Sequence, residues 1–450
     1  MKAKPWQVRA FLKKSRWLRT RQRSKTDCKQ TSILCGNRYK SPCKISDLTQ
    51  ISLNCSQCTA NLLLRKPTTG AAVKPLTPDN ITNLVPYRPG KPIEQVKREL
   101  GLDNIIKLAS NENSFGPSPL AIKAACDSLQ EIHRYPDISS PELRQTLATR
   151  FRIKPDNVIV GSGSEGIMAN IVRTFLFDDE EVLTSAGSFI GIYVLVNSRG
   201  VKLCQIPLRD YHYDLEAIAE AISPKTKIIY LANPNNPTGS WFNRSAFDSF
   251  YRRVPDNVLV ILDEAYFEFA LDQPNYPDSM LYRYDNVITL RTFSKAYGLA
   301  GIRIGYGLAE ESLIAALMKV KLPFEPSIPA QAAGIAALGD QVFLDRILAN
   351  NRSELPRVTE ELRQLGLRVL DSAANFLAVI MADELEVDQL VDYILQQGII
   401  LRPLKAFGLP HCLRITIGKP DENNRLLEAM RSYLSGQEHS TSVSVQPEQS

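Results

Sequence analysis

From about residue 155, short runs rich in β-branched and other apolar residues alternate with longer segments of helical periodicity. This alternation is typical of βαβ units, which build parallel sheets. Runs that are apolar on both faces indicate strands covered by helices on both sides. The predicted strands are NVIV (157–160), EVLT (181–184), VKLCQI (201–206), KIIYLA (227–232), NVLVILD (257–263) and NVITL (286–290). The sequence therefore predicts an α/β fold in which helices sandwich a mostly parallel central sheet.

A change of pattern near residue 335 indicates a second domain. The 450-residue chain is longer than the ~250–300 residues at which single cores usually divide. Beyond residue 335, a long helical pattern (337–366) is followed by strands and helices in mixed order, which predicts a smaller α+β domain. We expect an N-terminal segment (76–118) that packs on the body, a large domain (119–334) and a small domain (335–436).

Both ends of the chain differ from the body in composition. Residues 1–66 hold 16 Lys or Arg and only two acidic residues, which leaves 38 basic and 46 acidic residues for the remainder. A nucleic-acid-binding surface on the body is therefore not expected. The basic arm (1–75) is predicted to be disordered or a targeting segment, because few acidic residues together with Arg and Ser are typical of transit peptides. The polar tail (437–450) is predicted to be disordered.

Hydropathy and cysteine content bear on the compartment. No run of 18 apolar residues occurs, so a membrane span is not expected, and no apolar segment of the secretory type follows the basic start. Five cysteines lie in the arm and only Cys126, Cys204 and Cys412 in the body, which favours a reducing compartment. We expect the cytoplasm, or the plastid if the arm is a transit peptide. Cys55 and Cys58 form a CxxC without a second pair, so no metal site is expected.

Two turns that follow predicted strands are candidates for ligand binding. VIVGSGSEG places glycines before a helix that starts near Ser164, and the free N–H groups at a helix N-terminus bind anions. Gly161 and Gly163 would let the backbone approach such an anion closely. LANPNNPTG places Asn236 before a Pro-Thr-Gly turn, where its amide could face the ligand. Ordinary turn chemistry also explains both segments.

Charged residues follow two further strands. Asp263 ends a strand that should be buried, so its carboxylate needs a partner, which could be the next helix or a cationic ring nitrogen of a ligand. Lys295 stands among small residues in RTFSKAYGLAGIRIGY, where partial desolvation favours the neutral amine that attacks carbonyl groups. Ser294 and Arg303 offer the hydroxyl and the guanidinium that bind phosphate. Taken singly, Lys295 and Arg303 would more often be surface charges.

Together these residues fit one ligand. An anion site for a phosphate, a lysine for an aldehyde and a carboxylate for a ring nitrogen are the groups that pyridoxal 5′-phosphate requires. The carboxyl ends of parallel strands meet at one edge of such a sheet, where ligands bind. The sequence therefore predicts a pyridoxal phosphate site at this edge.

Further motifs point to a known family. In order along the chain, from about 83 to 434, stand VPYRPGKPIEQVKRELGL, IIKLASNENSFGPSP, RYPD, the glycine turn, NPNNPTG, DEAY, the lysine segment, KLPFEPSIPAQAA, ANFLAV and LRITIG. With these motifs the chain resembles the fold-type I aminotransferases, and among them the histidinol-phosphate aminotransferases. NENS replaces the more usual NENP, and GSGSEG lacks the acidic pair that often follows the serine. Neither departure affects the backbone contacts expected for the cofactor.

The resemblance implies a role for each matching residue. Lys295 would form the Schiff base with the cofactor and move the proton between the substrate Cα and C4′ of the cofactor. Asp263 would keep the pyridine nitrogen protonated. The remaining cofactor contacts would be Asn236 and Tyr266 on the phenolic oxygen, Phe189 stacked on the ring, and Ser164 and Glu165, through their backbone N–H groups, with Ser294 and Arg303 on the phosphate.

The resemblance also implies an assembly and a reaction. Family members are homodimers, and Tyr135 of RYPD would reach the cofactor phosphate of the neighbouring subunit. Tyr87 and Arg414 would bind the substrate, Arg414 as a bidentate clamp for its carboxylate, and Arg402 would assist with the distal phosphate. The implied reaction is a ping-pong exchange of histidinol phosphate and 2-oxoglutarate for imidazole-acetol phosphate and glutamate, in histidine biosynthesis.

Other functions are compatible with the same motifs. An aminotransferase for aromatic or other 2-oxo acids, or a decarboxylase acting on a phosphorylated substrate, would share the cofactor contacts. A regulator that combines such a body with a nucleic-acid-binding arm is disfavoured, because the arm lacks the apolar periodicity of a helix-turn-helix core. The partners expected are thus small molecules and a second copy of the chain, without nucleic acid or membrane.

Overall fold

The structure is a computed structural model that describes residues 75–86, 90–281 and 284–442. The predictions for the arm, including Cys55 and Cys58, and for Tyr87 lie outside the described residues. From Thr77 onward, the described residues belong to one unit. No helix within these ranges is both long and apolar enough to cross a membrane.

The α-helices and strands of the described residues are numbered in chain order. The helices are α1 (Asp79–Thr82), α2 (Ile93–Leu100), α3 (Pro119–Ser128), α4 (Pro141–Phe151), α5 (Gly163–Phe175), α6 (Ile190–Arg199), α7 (Leu215–Glu220), α8 (Arg244–Tyr251), α9 (Phe267–Ala270), α10 (Glu311–Val320), α11 (Ile328–Gly339), α12 (Gln341–Gln364), α13 (Glu384–Gln396) and α14 (Pro420–Ser442). The strands are β1 (Ile106–Lys107), β2 (Val158–Gly161), β3 (Glu181–Ser185), β4 (Lys202–Ile206), β5 (Thr226–Ala232), β6 (Leu259–Asp263), β7 (Val287–Thr292), β8 (Gly305–Leu308), β9 (Arg368–Val369), β10 (Phe376–Ile380), β11 (Ile399–Ile400), β12 (Arg402–Pro403) and β13 (Cys412–Thr416).

The central sheet has seven strands in the order β2-β8-β7-β6-β5-β3-β4. All neighbouring pairs are parallel except those of β8, which runs antiparallel to both β2 and β7. The prediction of a mostly parallel sheet is confirmed, and each of the six predicted strands lies within two residues of its observed bounds. Strand β8 was not predicted, because Gly305 and Gly307 interrupt the apolar run from which a strand is recognised.

Helices cover both faces of this sheet. Successive side chains of a strand point to opposite faces, so Ile228 and Tyr230 of β5 pack with residues of α5, α6 and α10. Ile229 and Leu231 pack on the other face with residues of α7 and α8. Burial of strand side chains on both faces explains why the runs are apolar throughout rather than alternating.

The C-terminal part contains a four-stranded antiparallel sheet in the order β12-β13-β10-β9, packed against α12, α13 and α14. Within the expected N-terminal segment, β1 pairs in parallel with β11, Ile106 opposite Ile399. Because of this pairing, the residues directly after β1 lie near the end of the central sheet. The domain boundaries at 118 and 334 stay predictions.

Two helix bounds differ from the expectation. The helical pattern at 337–366 is interrupted at Asp340, whose carboxylate accepts the N–H of Phe343 (3.2 Å) and caps α12. An Asp at such a position competes for backbone N–H groups and starts a new helix. Helix α14 continues to Ser442, so it extends past residue 436, where the small domain was expected to end, into the tail (437–450) that was expected to be disordered. Backbone hydrogen bonds can extend a helix beyond the part that packs on a core.

Candidate active site

A cavity of about 330 Å³ lies at the carboxyl ends of the central strands. Nine of the residues predicted from the sequence line it: Ser164, Glu165, Phe189, Asn236, Asp263, Tyr266, Ser294, Lys295 and Arg303. These residues come from six separate segments of the chain. Their roles stay predictions, but the structure brings them to one place, at the edge where open α/β sheets bind ligands.

One end of the cavity is formed by the start of α5. Gly163 has a φ of +79°, and a Cβ on Gly305 would lie 2.5 Å from the Ser164 nitrogen. Glycine at 305 therefore lets β8 run directly beside the first turn of α5, a 13-residue helix. The first N–H groups of that turn have no partner within the helix and are suited to bind an anion.

Side chains with complementary groups adjoin this turn. The Arg303 guanidinium lies over it, with Nη2 3.8 Å from the Glu165 carboxylate, and both side chains are about half exposed. Ser294 is buried and its hydroxyl accepts a hydrogen bond from Thr292 Oγ1 (3.0 Å), which leaves its own proton to donate. A helix N-terminus, a hydroxyl and a guanidinium form a site for a phosphate.

Asp263 lies at the end of β6, buried and facing the cavity. Its Oδ2 accepts a hydrogen bond from the Tyr230 hydroxyl (2.7 Å) and its Oδ1 accepts one from the Ala265 N–H (3.1 Å). Burial raises the pKa of this carboxyl to about 6, although both hydrogen bonds and nearby Lys295 act in the opposite direction. Burial, and then the charge of Asp263, raise the pKa of Tyr230 well above its usual value, so this phenol remains a donor. A carboxylate held in this way is suited to pair with a cation in the cavity.

Lys295 is half-buried, and its amine reaches the interior of the cavity. Its Nζ lies 3.4 Å from the carbonyl oxygen of Ser110 and 5.6 Å from the Tyr266 ring centroid. Gly298 has a φ of +70°, and a Cβ there would lie 2.3 Å from the carbonyl oxygen of Gly116. The small residues after the lysine thus allow a close approach of the 116–117 segment. The alternative of a surface charge is not what the structure shows for Lys295.

Asn236, Tyr266 and Arg414 lie close together where the central sheet meets β13. Arg414 is buried; its Nη1 donates to Asn236 Oδ1 and its Nη2 to the Ala109 carbonyl oxygen (2.8 Å). Tyr266 Oη accepts a hydrogen bond from Asn111 Nδ2 (2.9 Å). Arg414 therefore adjoins the cavity without belonging to its lining.

Two other predicted residues that the structure describes are not brought into the cavity. Tyr135 is 76% exposed and stacks on Phe324 at a centroid distance of 4.2 Å. Arg402 is buried on β12, opposite Arg414 of β13, with its guanidinium 5.9 Å from the Phe407 ring centroid. Tyr87 lies outside the described residues. Among all the residues that the structure describes, no group of His, Cys, Asp and Glu side chains is placed to hold a metal ion.

Several lining residues were missed by the sequence analysis. Ser110, Glu112, Tyr230 and Thr292 line the cavity, and Asn111 contacts Tyr266 behind it. The polar run SNEN was a usable signal for Ser110, Asn111 and Glu112. No local pattern distinguishes Tyr230 from the other apolar residues of KIIYLA, because its hydroxyl becomes important only through its contact with Asp263.

The raised pKa of Asp263 predicts a pH-dependent cost of folding in the protein without ligand. The unfolded carboxyl ionises near 3.8 and the folded one near 6, so the folded state loses stability as the pH rises between these values. Above both values a constant penalty of roughly 3 kcal/mol remains. Asp263→Asn should therefore gain stability relative to the parent as the pH rises from about 4 to about 6, with no further gain above. Denaturant titrations across this range measure the difference, and a difference independent of pH would contradict the prediction.

Known proteins are similar to this chain over most of its length. The family described as aminotransferase class I and II matches residues 103–430. A histidinol-phosphate aminotransferase from Anaeromyxobacter sp. is 44% identical over 363 residues, which are 80% of this chain and 99% of the relative. A histidinol-phosphate aminotransferase from Geobacillus sp. is 41% identical, over 79% of this chain and 97% of the relative.

Solved structures give a consistent result. The crystal structure of histidinol-phosphate aminotransferase from Sinorhizobium meliloti in complex with pyridoxal-5′-phosphate superimposes with a TM-score of 0.74 at 32% identity, covering 81% of this chain and 99% of that one. Aspartate aminotransferase from Thermus thermophilus with maleate superimposes with a TM-score of 0.69 at 22% identity, over 80% of this chain and 99% of that one, which shows the shared fold alone.

Proposed function

This chain belongs to the class I and II aminotransferases, and from that premise we propose that it transfers an amino group between histidinol phosphate and 2-oxoglutarate with pyridoxal 5′-phosphate as cofactor. The products are imidazole-acetol phosphate and glutamate. The observation that carries the proposal is a single cavity that holds an amine, a buried carboxylate and an anion site.

The residues of the cavity fit this cofactor. Its phosphate suits the start of α5 with Ser294 and Arg303, and its ring nitrogen suits the buried Asp263. Lys295 offers the amine for its aldehyde, and Phe189 offers an aromatic ring to its face. Pyridoxal phosphate supplies, when bound, an aldehyde that receives amino groups and a ring that withdraws electrons from the substrate Cα.

The chain's own residues then have distinct tasks. Lys295 would hold the aldehyde through its amine and, in its neutral form, would accept the proton from the substrate Cα. Asp263 keeps the proton of the ring nitrogen in place. Because the Arg414 guanidinium donates to Asn236 Oδ1, the Nδ2 of Asn236 is directed away from Arg414 and can donate to the phenolic oxygen.

Arg414 has the geometry of a carboxylate clamp. Its guanidinium is buried, lies 5.3 Å from the Phe376 ring centroid and is held by Asn236 and the Ala109 carbonyl oxygen. A planar, immobilised guanidinium binds a carboxylate through two parallel hydrogen bonds, which lysine cannot do. We assign the carboxylates of glutamate and 2-oxoglutarate to Arg414 and the distal phosphate of histidinol phosphate to Arg402, with Tyr87 as a further residue that binds the substrate.

A substrate profile tests the proposed reaction. We expect kcat/KM with 2-oxoglutarate as acceptor to be highest for histidinol phosphate among histidinol phosphate, phenylalanine and threonine phosphate. Arg414→Lys should raise KM for 2-oxoglutarate roughly 10- to 100-fold, the effect of losing a bidentate charged hydrogen bond. Initial rates of glutamate formation by the purified protein give both kcat/KM for each amino donor and KM for 2-oxoglutarate. Preference for phenylalanine would favour an aromatic aminotransferase, and carbon dioxide release from threonine phosphate would favour a decarboxylase.

The active protein is proposed to be a homodimer. Tyr135 stacks on Phe324, which is 48% exposed. Ile132 (61%) and Leu322 (55%), close to these two residues in sequence, are further exposed apolar side chains. A second copy placed on this surface would bury them and bring Tyr135 to the neighbour's cofactor phosphate. Mixing Lys295→Ala and Tyr135→Ala subunits should then restore activity, because one site of each hybrid has both residues intact. A monomer by sedimentation, or mixtures without restored activity, would contradict the dimer.

The compartment follows from the arm. We propose the cytoplasm for the chain as it stands, and the plastid if residues 1–75 are removed as a transit peptide. Sequencing the N-terminus of the natural protein distinguishes the two, since a start near residue 75 indicates a processed targeting segment.

A further inference from the structure

Residues 108–111 (the 108–111 segment) contact the functional groups one after another. The contacts are Leu108 O with Thr416 N (2.9 Å), Ala109 O with Arg414 Nη2 (2.8 Å), Ser110 O with Lys295 Nζ (3.4 Å) and Asn111 Nδ2 with Tyr266 Oη (2.9 Å). The segment follows β1 and therefore joins β13, which carries Arg414, to the end of the central sheet.

Asn111 is the member with the most fixed geometry. It is 1% exposed and has a φ of +55°, a left-handed conformation that Asn and Asp tolerate better than other side chains. Its N–H donates to Thr416 Oγ1 (2.9 Å), and its carbonyl oxygen accepts from Asn375 Nδ2 (3.2 Å). The backbone of Asn111 is thus held on both sides by residues of the C-terminal part.

The direction of each hydrogen bond follows from these contacts. Thr416 Oγ1 accepts the N–H of Asn111, so its own proton is donated to Asn111 Oδ1 (3.1 Å). This fixes the amide with Oδ1 toward Thr416 and Nδ2 toward Tyr266. Since an amide nitrogen only donates, Tyr266 Oη is the acceptor of that bond and its own proton remains available for another partner.

The Tyr266 ring has little freedom to escape this arrangement. It is 3% exposed and packs edge-to-face on Phe376 at a centroid distance of 5.1 Å. Rotation of the hydroxyl is then the only adjustment left, and the Asn111 donor excludes the direction toward Asn111. The remaining directions include the cavity, which Tyr266 lines.

We propose that Asn111, held by Thr416, is a positioning residue that directs the Tyr266 proton toward an anionic oxygen of the ligand in the cavity. The inference rests on the proposed function, because it takes that oxygen to be the phenolic oxygen of pyridoxal phosphate. Thr416 stands two residues after Arg414 on β13. The strand that binds the substrate carboxylate therefore also sets the direction of the Tyr266 hydrogen bond.

The hydrogen bonds that lead from Thr416 through Asn111 to Tyr266, called the relay, have a consequence that absorption spectroscopy can measure. A phenolic oxygen that accepts a hydrogen bond from Tyr266 attracts the proton shared with the nitrogen of Lys295 less strongly. The cofactor-bound protein then loses that proton at a lower pH, and the visible absorption of the cofactor changes at that pH. Diverting the Tyr266 proton to another acceptor should raise this midpoint by about one pH unit, the effect of one hydrogen bond.

Four variants loaded with pyridoxal 5′-phosphate test the relay. Asn111→Asp keeps the size and the tolerance of a positive φ but replaces the donor by an acceptor, so the Tyr266 proton turns away from the cavity. Thr416→Val removes the hydroxyl that fixes the amide, Thr416→Ser restores it, and Tyr266→Phe removes the proton itself. We expect the absorption midpoint to rise in Asn111→Asp and Tyr266→Phe, to rise less in Thr416→Val, and to return to the parent value in Thr416→Ser.

The Tyr266→Phe background separates the relay from direct charge effects. The other charged groups at or beside the cavity are present in every variant: Glu112, Glu165, Asp263, Lys295, Arg303 and Arg414. If the relay operates, Asn111→Asp and Thr416→Val add no further shift once Tyr266 is Phe. A shift of the same size in both backgrounds would mean that the new carboxylate acts directly and would overturn the relay.

Two control measurements distinguish a loss of folding stability from a loss of function. Thermal unfolding of the cofactor-free variants reports structural damage, and a Thr416→Val protein with a lower Tm but an unchanged midpoint would overturn the inference in favour of a purely structural role. A parent protein that shows no visible absorption with pyridoxal phosphate would instead overturn the proposed function, and the inference with it.

Discussion

Lys295→Ala is expected to lower kcat/KM for transamination by roughly 10⁴-fold, because one side chain serves both as the nucleophile for the cofactor and as the base for the substrate Cα. The methyl group left behind can perform neither task. The fold should not change, since the Lys295 amine has a single long hydrogen bond to the Ser110 carbonyl oxygen (3.4 Å) in the cavity. Initial rates with histidinol phosphate and 2-oxoglutarate, with thermal unfolding alongside, measure both effects.

Two further variants make this test specific. Lys295→Arg keeps a positive charge without a usable nucleophile, so it should lose activity to a similar extent if covalent chemistry is required. Lys154→Ala removes an exposed lysine that pairs with Glu311, neither of which lines the cavity, and should retain the parent rate. Ordinary turnover by Lys295→Ala would contradict the assignment of Lys295 and the transamination scheme.

Arg291→Met is expected to destabilise the protein by about 3–5 kcal/mol, the cost of leaving a buried carboxylate without its partner. Arg291 is 1% exposed; its Nε donates to Glu264 Oε2 (2.9 Å) and its Nη2 to Asp278 Oδ1 (3.0 Å). The guanidinium also lies 3.3 Å from the Phe267 ring centroid. Glu264 is 2% exposed, and burial raises the pKa of its carboxyl while Arg291 opposes that rise.

The buried pair also supports the cavity. Glu264 directly follows Asp263, and Arg291 lies on β7 four residues before Lys295. The Glu264 N–H donates to the Leu290 carbonyl oxygen (2.8 Å), which joins the ends of β6 and β7. Arg291→Met should therefore weaken binding of pyridoxal phosphate as well as folding.

Denaturant titration of the cofactor-free protein measures the loss of stability, with two controls. Arg352→Met breaks an exposed pair with Asp272 and should cost at most about 1 kcal/mol. The double variant Arg291→Met/Glu264→Gln removes the unpaired charge and should recover part of the loss. An Arg291→Met protein no less stable than Arg352→Met would show that the buried pair does not contribute as argued.

The cavity residues that the sequence identified share one property. Asp263 ends an apolar run that was recognised as a strand, and Asn236 and Lys295 each follow one, so their place at one edge of the sheet followed from the parallel arrangement. The glycine turn at 161–163 was recognised in the same way. These predictions needed only local patterns and the rule that parallel strands end on the same side.

The elements that were missed depend on contacts between distant residues. Strand β8 requires Gly305, because a side chain there would collide with the start of α5, some 140 residues earlier in the chain. A glycine at such a position resembles a turn residue in sequence, so the strand was not recognised. Tyr135 illustrates the opposite case, since the described chain leaves it exposed and its expected role depends on a second copy.

The sequence by itself determined the α/β architecture, the edge of the sheet at which the cavity lies and half of the residues that line it. Periodicity and turn residues are local properties, and they are enough for these conclusions. The tertiary structure alone decided which hydrogen-bond donors face which acceptors: Tyr230 on Asp263, Arg414 on Asn236, and Thr416 through Asn111 on Tyr266. Desolvation and hydrogen-bond direction depend on groups far apart in the chain that folding brings within about 3 Å, and no local pattern records them.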